Sequence, residues 1–166
     1  MVLKKYRFCS EKNNAYYYTI VQEEIIIEKG EAKFMEAYLL DSVILIWWIR
    51  KLHSAPDIVE ELAKERPLYI SSLSILEVLR SLEKTEEKRA QEILNRVKSI
   101  PVDQEIAEWA VNYLRACTKE GYRVDYISAC IGATAVVKDL VIVTYNMMHY
   151  PLLEAKFYPL AGFLMK

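Results

Sequence analysis

The chain has 166 residues, 53% hydrophobic and 27% charged, which suits one domain, or one domain with a small appendage, with ample material for a core. Its formal net charge of -1 offers no global attraction to a polyanion, so any nucleic-acid binding has to come from a local patch. No apolar run approaches the ~20 residues needed to span a bilayer, and "MVLKKYRFCSEKNN" lacks the apolar stretch of a secretory signal, so a cytoplasmic protein without a membrane role is expected.

The side-chain inventory excludes several chemistries. With two histidines, His53 and His149, a histidine-rich metal site is ruled out and a Ser–His–Asp triad is disfavoured. Cys9, Cys117 and Cys130 are far apart, form no C-x-x-C, and read as reduced thiols. Four glycines supply neither a G-x-G-x-x-G loop nor a P-loop, which argues against a nucleotide-binding flavodoxin-like domain.

In chain order, residues 1–35 read as a β-rich extension. "AYYYTIVQ" and "EEIIIEKG" carry the aromatic and β-branched residues of strands, and residues 15–29 are expected to form a hairpin or edge strands. From residue 36 to 166 short apolar strands alternate with helical patterns. "AYLL" (37–40) reads as a buried strand, "SVILIWWIRKL" (42–52) as an apolar helix, and "PDIVEELAKER" (56–66) as an amphipathic helix with Pro56 in its first turn. "LYIS" (68–71) is a second strand, and "SLSILEVLRSLEK" the helix after it. "TEEKRAQEILNRVKS" (85–99) reads as a charged helix and "IPV" (100–102) as a strand. Asp103 then caps a helix to about Lys119, which Gly121 stops. "DYISACIGATAVVKD" is a small-residue helix, and "LVIVT" (140–144) a strand of the kind found inside parallel sheets. This alternation predicts a three-layer α/β/α sandwich around a mostly parallel sheet, with a short N-terminal β extension.

Within that frame one residue stands out. Asp41 interrupts the apolar run "YLLDSVILIWWI", and an unpaired buried carboxylate is costly. Ligands of such sheets bind beyond the carboxyl ends of the strands. Asp41 follows the first strand of the alternating region, Thr144 and Asn146 follow the last, and Glu77 lies about two helical turns beyond "LYIS". All four fall at one sheet edge.

The blocks "YLLDSVIL", "ISSLSILEVL", "GYRVDYISACIGATA" and "LVIVTYNMMHY" resemble, in order and spacing, those of the PIN domain, most nearly its compact VapC-type ribonuclease toxins. The resemblance covers roughly residues 36 to 160. It implies an RNase H-like fold, a carboxylate cluster binding Mg²⁺ or Mn²⁺, and hydrolysis of RNA phosphodiesters. It also implies a small antitoxin protein as partner and a homodimer. Residue by residue, Asp41 matches the family's first acid; the same residue suits an N-cap of the helix from 42. Glu77 matches the second, three after Ser74, a position where the family commonly has Ser or Thr and which borders the substrate. Ser74-x-x-Glu77 is equally a capping-box signature. The third acid is expected three residues before Ile131 and seven after Gly121, and both counts give Ser128. Asp125, one turn earlier, can act as an auxiliary ligand or as the N-cap of helix 126–138. Asn146 matches the fourth polar position, with Thr144 beside it to position water or phosphate.

The metal ligands implied are therefore Asp41, Glu77 and Asp125, with Ser128 and Asn146 completing the catalytic set. The substituted third acid leaves open a PIN-fold RNA-binding or scaffold protein without catalysis. Other features have plainer readings. Trp47 and Trp48 cannot share one helix face, so one is core and the other suits an interface. Tyr6, Tyr16, Tyr17, Tyr18 and Tyr38 read as strand packing more readily than base stacking. Lys51, Arg80, Lys84, Lys88 and Arg89 are either a phosphate-steering patch or a solvated surface.

Overall fold

The computed structural model describes residues 4–12, 15–21, 37–158 and 160. Five parallel strands form its centre: β3 (Tyr38–Leu40), β4 (Leu68–Ser71), β5 (Lys98–Ile100), β6 (Val141–Val143) and β7 (Lys156–Phe157). A hairpin of β1 (Lys4–Lys12) and β2 (Ala15–Val21) adds antiparallel to β7, giving the order β2-β1-β7-β6-β3-β4-β5. The expected sheet-edge addition is present over residues 15–21, paired with the segment before it; residues 22–29 of that expectation lie outside the described residues.

Strand periodicity divides the core. Tyr38, Leu40, Ile70, Val141 and Val143 face helices α1 (Ser42–Arg50), α2 (Ala55–Glu65) and α4 (Glu87–Leu94), and Val78 of α3 (Ser72–Ser81) joins them. Leu39, Ile142 and Phe157 point the other way, onto α5 (Gln104–Lys119) and α6 (Tyr126–Val137). Trp48 fills the first core under the Arg96 guanidinium, 4.9 Å from its ring, while Trp47 stays half-buried. Tyr38 is a core residue whose hydroxyl donates to Glu65.

Asp103 caps α5 by accepting from Ile106 N–H, and Gly121, at φ 82°, ends that helix as expected. One stretch differs from its reading. The charged helix expected over 85–99 ends at Leu94, and β5 begins at Lys98 rather than Ile100. Ala90, Ile93 and Val97 keep a helical spacing, which prolongs the pattern, but the backbone of 98–100 pairs with Tyr69–Ser71 of β4. Pro101, lacking an N–H, follows the strand's end.

The chain crosses from β3 to β4 and β5 on one side, then returns to β6 and β7 on the other. The switch therefore falls between β3 and β6, and a crevice opens beyond their carboxyl ends.

Candidate active site

Asp41 stands at the end of β3, with its N–H still in the ladder on the Val143 carbonyl at 3.0 Å. Its carboxylate is 3% exposed. Oδ1 accepts from the Ser42 N–H at 2.7 Å, capping α1, and Oδ2 accepts from Thr144 Oγ1 at 2.6 Å. The parallel register Leu40–Val143 sets the next residues of both strands side by side, which is how 103 positions of sequence are bridged. Thr144 Oγ1 in turn accepts from the Asn146 N–H at 2.9 Å, and the Asn146 amide nitrogen lies 2.7 Å from His149 Nε2. Asp41 thus caps a helix and also sits in the crevice.

Burial pushes the Asp41 carboxyl above the usual carboxylate range, against the opposing pull of the Thr144 and Ser42 hydrogen bonds. Smaller opposing effects come from Tyr150 and from His149. The site therefore holds a desolvated carboxylate that a cation would stabilise in its charged form.

On α3 the capping-box reading of Glu77 does not hold. Ser71 is the N-cap and accepts from Leu73 N–H, which puts Ser74 inside the helix. Ser74 is fully buried, with a hydroxyl that reaches no partner, and Glu77, one turn on, is half-buried and makes no hydrogen bond or ion pair among the described residues.

Asp125 is the N-cap of α6. Oδ1 accepts from the N–H groups of Ile127 and Ser128, and Oδ2 from Ser128 Oγ at 2.6 Å. Burial raises this carboxyl, but the bonds from Ser128 and Ile127 outweigh it and hold it below the usual range. Ser128 is buried beneath the acid it orients.

These groups share one neighbour that sequence reasoning passed over. Tyr150 is buried, and its hydroxyl lies beside the Asp41 carboxylate but outside hydrogen-bonding geometry. Burial, followed by the charge of Asp41, pushes that hydroxyl well above its ordinary pKa, and the charges of Glu77 and Asp125 act in the same direction. Tyr150 is fixed from behind: Tyr113 Oη and Cys117 Sγ donate to the Pro151 carbonyl, and Gly132 gives its ring room against α6. In the sequence it reads as one more aromatic packing residue.

Among the described residues, no group of three or more His, Cys, Asp or Glu side chains is placed to hold one metal ion. The donor set instead fits a hard cation that keeps most of its waters, since Mg²⁺ is commonly held by one or two carboxylates. Every carboxylate oxygen retains acceptor capacity beyond the bonds above. The buried, unpartnered hydroxyls of Ser42, beside Asp41, and of Ser74 and Tyr150 are the kind of group that bound water satisfies. Of the basic residues, Lys51, Arg80, Lys84 and Lys88 are exposed, whereas Arg89 is half-buried and donates to the Trp48 carbonyl.

Comparison with known proteins points to one family. Residues 38–150 match the PIN domain family. Ribonuclease VapC10 of Mycobacterium tuberculosis is 30% identical over 116 residues, covering 70% of this chain and 87% of the relative. In structure the chain is similar to VapBC2 from Rickettsia felis, solved bound to a promoter DNA fragment (TM-score 0.66, 20% identity, 74% of this chain and 97% of the other). It is also similar to a toxin–antitoxin complex from Klebsiella pneumoniae (TM-score 0.55, 27% identity, 67% of this chain and 88% of the other). A matched family over two thirds of its length, a relative of that family and a shared five-stranded parallel fold agree: this chain belongs to the PIN domain family, among its VapC-like members.

Proposed function

We propose that the protein is a divalent-metal-dependent ribonuclease that hydrolyses RNA phosphodiesters at the crevice between β3 and β6, with Mg²⁺ or Mn²⁺. The observation that carries this reading is the buried Asp41 carboxylate, held by Thr144 at the carboxyl ends of two adjacent parallel strands. Asp41 and Glu77 would hold the metal, with Asp125 as an auxiliary ligand. When bound, such an ion stabilises charge on the phosphate and lowers the pKa of a coordinated water. The chain supplies the rest. Thr144 and the Ser42 N–H fix the Asp41 carboxylate, Ser128 and the α6 N-terminus fix Asp125, and the Asn146 amide offers a neutral hydrogen bond to water or phosphate.

The relatives named as toxin–antitoxin complexes support a small antitoxin protein as partner. Exposed Leu76 and Leu79 on α3 supply apolar surface for such a partner or for a homodimer. No helix of the described residues is long and apolar enough to cross a membrane.

A second reading, a PIN-fold RNA-binding or scaffold protein without catalysis, is favoured by one observation. Ser128 stands where the third acid is expected, and no three acids are placed to share an ion among the described residues. Cleavage of RNA with Mn²⁺ or Mg²⁺, with and without EDTA, separates the two when the protein is compared with Asp41→Asn. The ribonuclease reading expects metal-dependent cleavage that the substitution abolishes. Intact RNA at every metal concentration makes the protein a scaffold.

A further inference from the structure

Asn146 is held twice, and the second hold has a polarity. Its N–H donates to Thr144 Oγ1 at 2.9 Å, which ties its backbone to the Asp41 network. Its side-chain Nδ2 lies 2.7 Å from Nε2 of His149. The short turn between them, Met147–His149, is already closed by its backbone. The His149 N–H donates to the Asn146 carbonyl at 3.2 Å, and the Tyr150 N–H to the Met147 carbonyl at 3.0 Å. The turn therefore does not require the side-chain pair. Nor does core packing, since His149 is exposed and Asn146 only half-buried.

A carboxamide has two ends of opposite hydrogen-bonding sense, an acceptor oxygen and a donor NH₂ group. Its partner decides which end faces where. The NH₂ group facing His149 can only donate, so Nε2 is the unprotonated nitrogen and the imidazole hydrogen sits on Nδ1. The imidazole makes no other hydrogen bond among the described residues, so this contact alone sets the tautomer. With Nδ2 engaged, the amide turns its carbonyl end away from His149. That Oδ1 has no hydrogen-bond partner among the described residues. In a crevice that collects a cation with its waters, an acceptor is the useful end. It can take a hydrogen from water, whereas a phosphate diester oxygen has none to give.

We propose that His149 is a positioning residue of the ribonuclease: by accepting from Asn146 Nδ2 it holds Oδ1 toward the crevice, where that oxygen accepts from the water that attacks the phosphate. The proposal rests on the ribonuclease reading for the role of the water, but not for the orientation of the amide. It narrows the part of Asn146 from water or phosphate to water alone. A donor in place of the imidazole draws Oδ1 to itself and turns the NH₂ group toward the water. That group then occupies the lone pair which the attack needs.

Two measurements on the full chain test this. The first is the tautomer of His149 by nitrogen-15 NMR, in EDTA at a pH where the imidazole is neutral, with His53→Asn to assign the two histidines. The native chain is expected to show the Nδ1–H form, and Asn146→Ala, which removes the bond, the Nε2–H form. The second is cleavage of a short single-stranded RNA at saturating Mn²⁺, with kcat and KM separated. His149→Glu keeps an acceptor and should keep kcat within a few-fold, while its charge raises KM. His149→Lys supplies only a donor and should lower kcat about a hundredfold, the scale of a misplaced reacting group, with KM unchanged or lower because the added cation attracts RNA. Loss of a merely structural contact would lower kcat in both variants alike. The Nε2–H form in the native chain, or equal kcat in His149→Glu and His149→Lys, overturns the positioning role. If the native chain shows the Nε2–H form and still cleaves RNA, the positioning role is lost and the ribonuclease reading stands. If an Asn146-dependent Nδ1–H form is found with no cleavage at any metal concentration, the orientation of the amide stands and the ribonuclease reading is lost.

Discussion

Asp41 shows how one buried side chain both caps a helix and burdens the fold with a desolvated charge. Its carboxyl is raised by burial, so without metal the folded chain holds the charge less comfortably than the unfolded chain does. The sign follows from linkage. In EDTA the native protein is spared this cost below the ordinary carboxylate range, and it loses stability as pH rises through the folded pKa. Asp41→Asn keeps an acceptor for the Ser42 N–H and carries no charge. Thermal unfolding in EDTA should therefore give a higher Tm for this variant at neutral pH, with the two proteins converging at acid pH. A lower Tm at neutral pH would show the carboxylate to be stabilising. Thr144→Val works in the opposite direction, because it preserves shape but strips a donor from a buried anion. The expected loss is about 1.5–3 kcal/mol, at about 2–4 °C of Tm per kcal/mol in a chain of this size. Ser128→Asp would set a second carboxylate against Asp125, whose charged form Ser128 Oγ now stabilises by donation. We expect that variant to lose stability in EDTA and to regain it with Mn²⁺, so that the Tm difference between the two conditions widens. An unchanged difference would remove Ser128 from the site. Asp41 could be read from sequence because a charge inside "YLLDSVIL" conflicts with burial. Tyr150 could not, since nothing local distinguishes a phenol that packs from one whose hydroxyl is buried without a partner.

Among the elements, α6 was the most legible and the stretch after α4 the least. The small residues of "YISACIGATAVV" announce close packing on both sides, and six of them, with Ile131, are buried between the sheet and its neighbours. Gly132 shows why size matters there. A Cβ at that position would lie 2.9 Å from a Leu153 methyl and 3.4 Å from the Tyr150 ring. A methyl could be absorbed by Leu153, but the branched side chain of Gly132→Val would press on Tyr150 as well. We expect a cost of about 1–3 kcal/mol by urea denaturation, with RNA cleavage lowered more than stability alone explains. Full activity in a variant of normal stability would mean that Tyr150 does not shape the site. The α4–β5 boundary was missed for a different reason. Helical spacing from Ala90 to Val97 is a local signal, whereas pairing of Lys98–Ile100 with β4 depends on a strand about 30 positions earlier. Residue periodicity cannot report which partner a backbone will find.

For the whole molecule, what could be read followed from topology. A run of alternating strands and helices admits few arrangements, and each places the strand ends, hence Asp41 and Thr144, in one crevice. The N-terminal hairpin lay beyond that rule, because its attachment to β7 is antiparallel and depends on two residue pairs, Lys4–Phe157 and Lys5–Lys156. We propose that residues 1–35 are an appendage to a domain spanning 36–166. The five parallel strands and six helices run from Tyr38 to Phe157, and the family match spans 38–150. Among the described residues the hairpin joins the domain through β7, a two-residue edge whose Lys156 is paired with Asp139, and short charged edges resist pairing with other chains. A chain starting at Met35 should therefore unfold cooperatively, keep the far-UV circular dichroism of an α/β domain, and retain metal-dependent RNA cleavage within a few-fold of the full chain. If it is insoluble or melts without a transition, residues 1–35 belong to the folding unit. If it is folded but inactive, the hairpin contributes to RNA binding, and the boundary of the functional domain moves to the N-terminus.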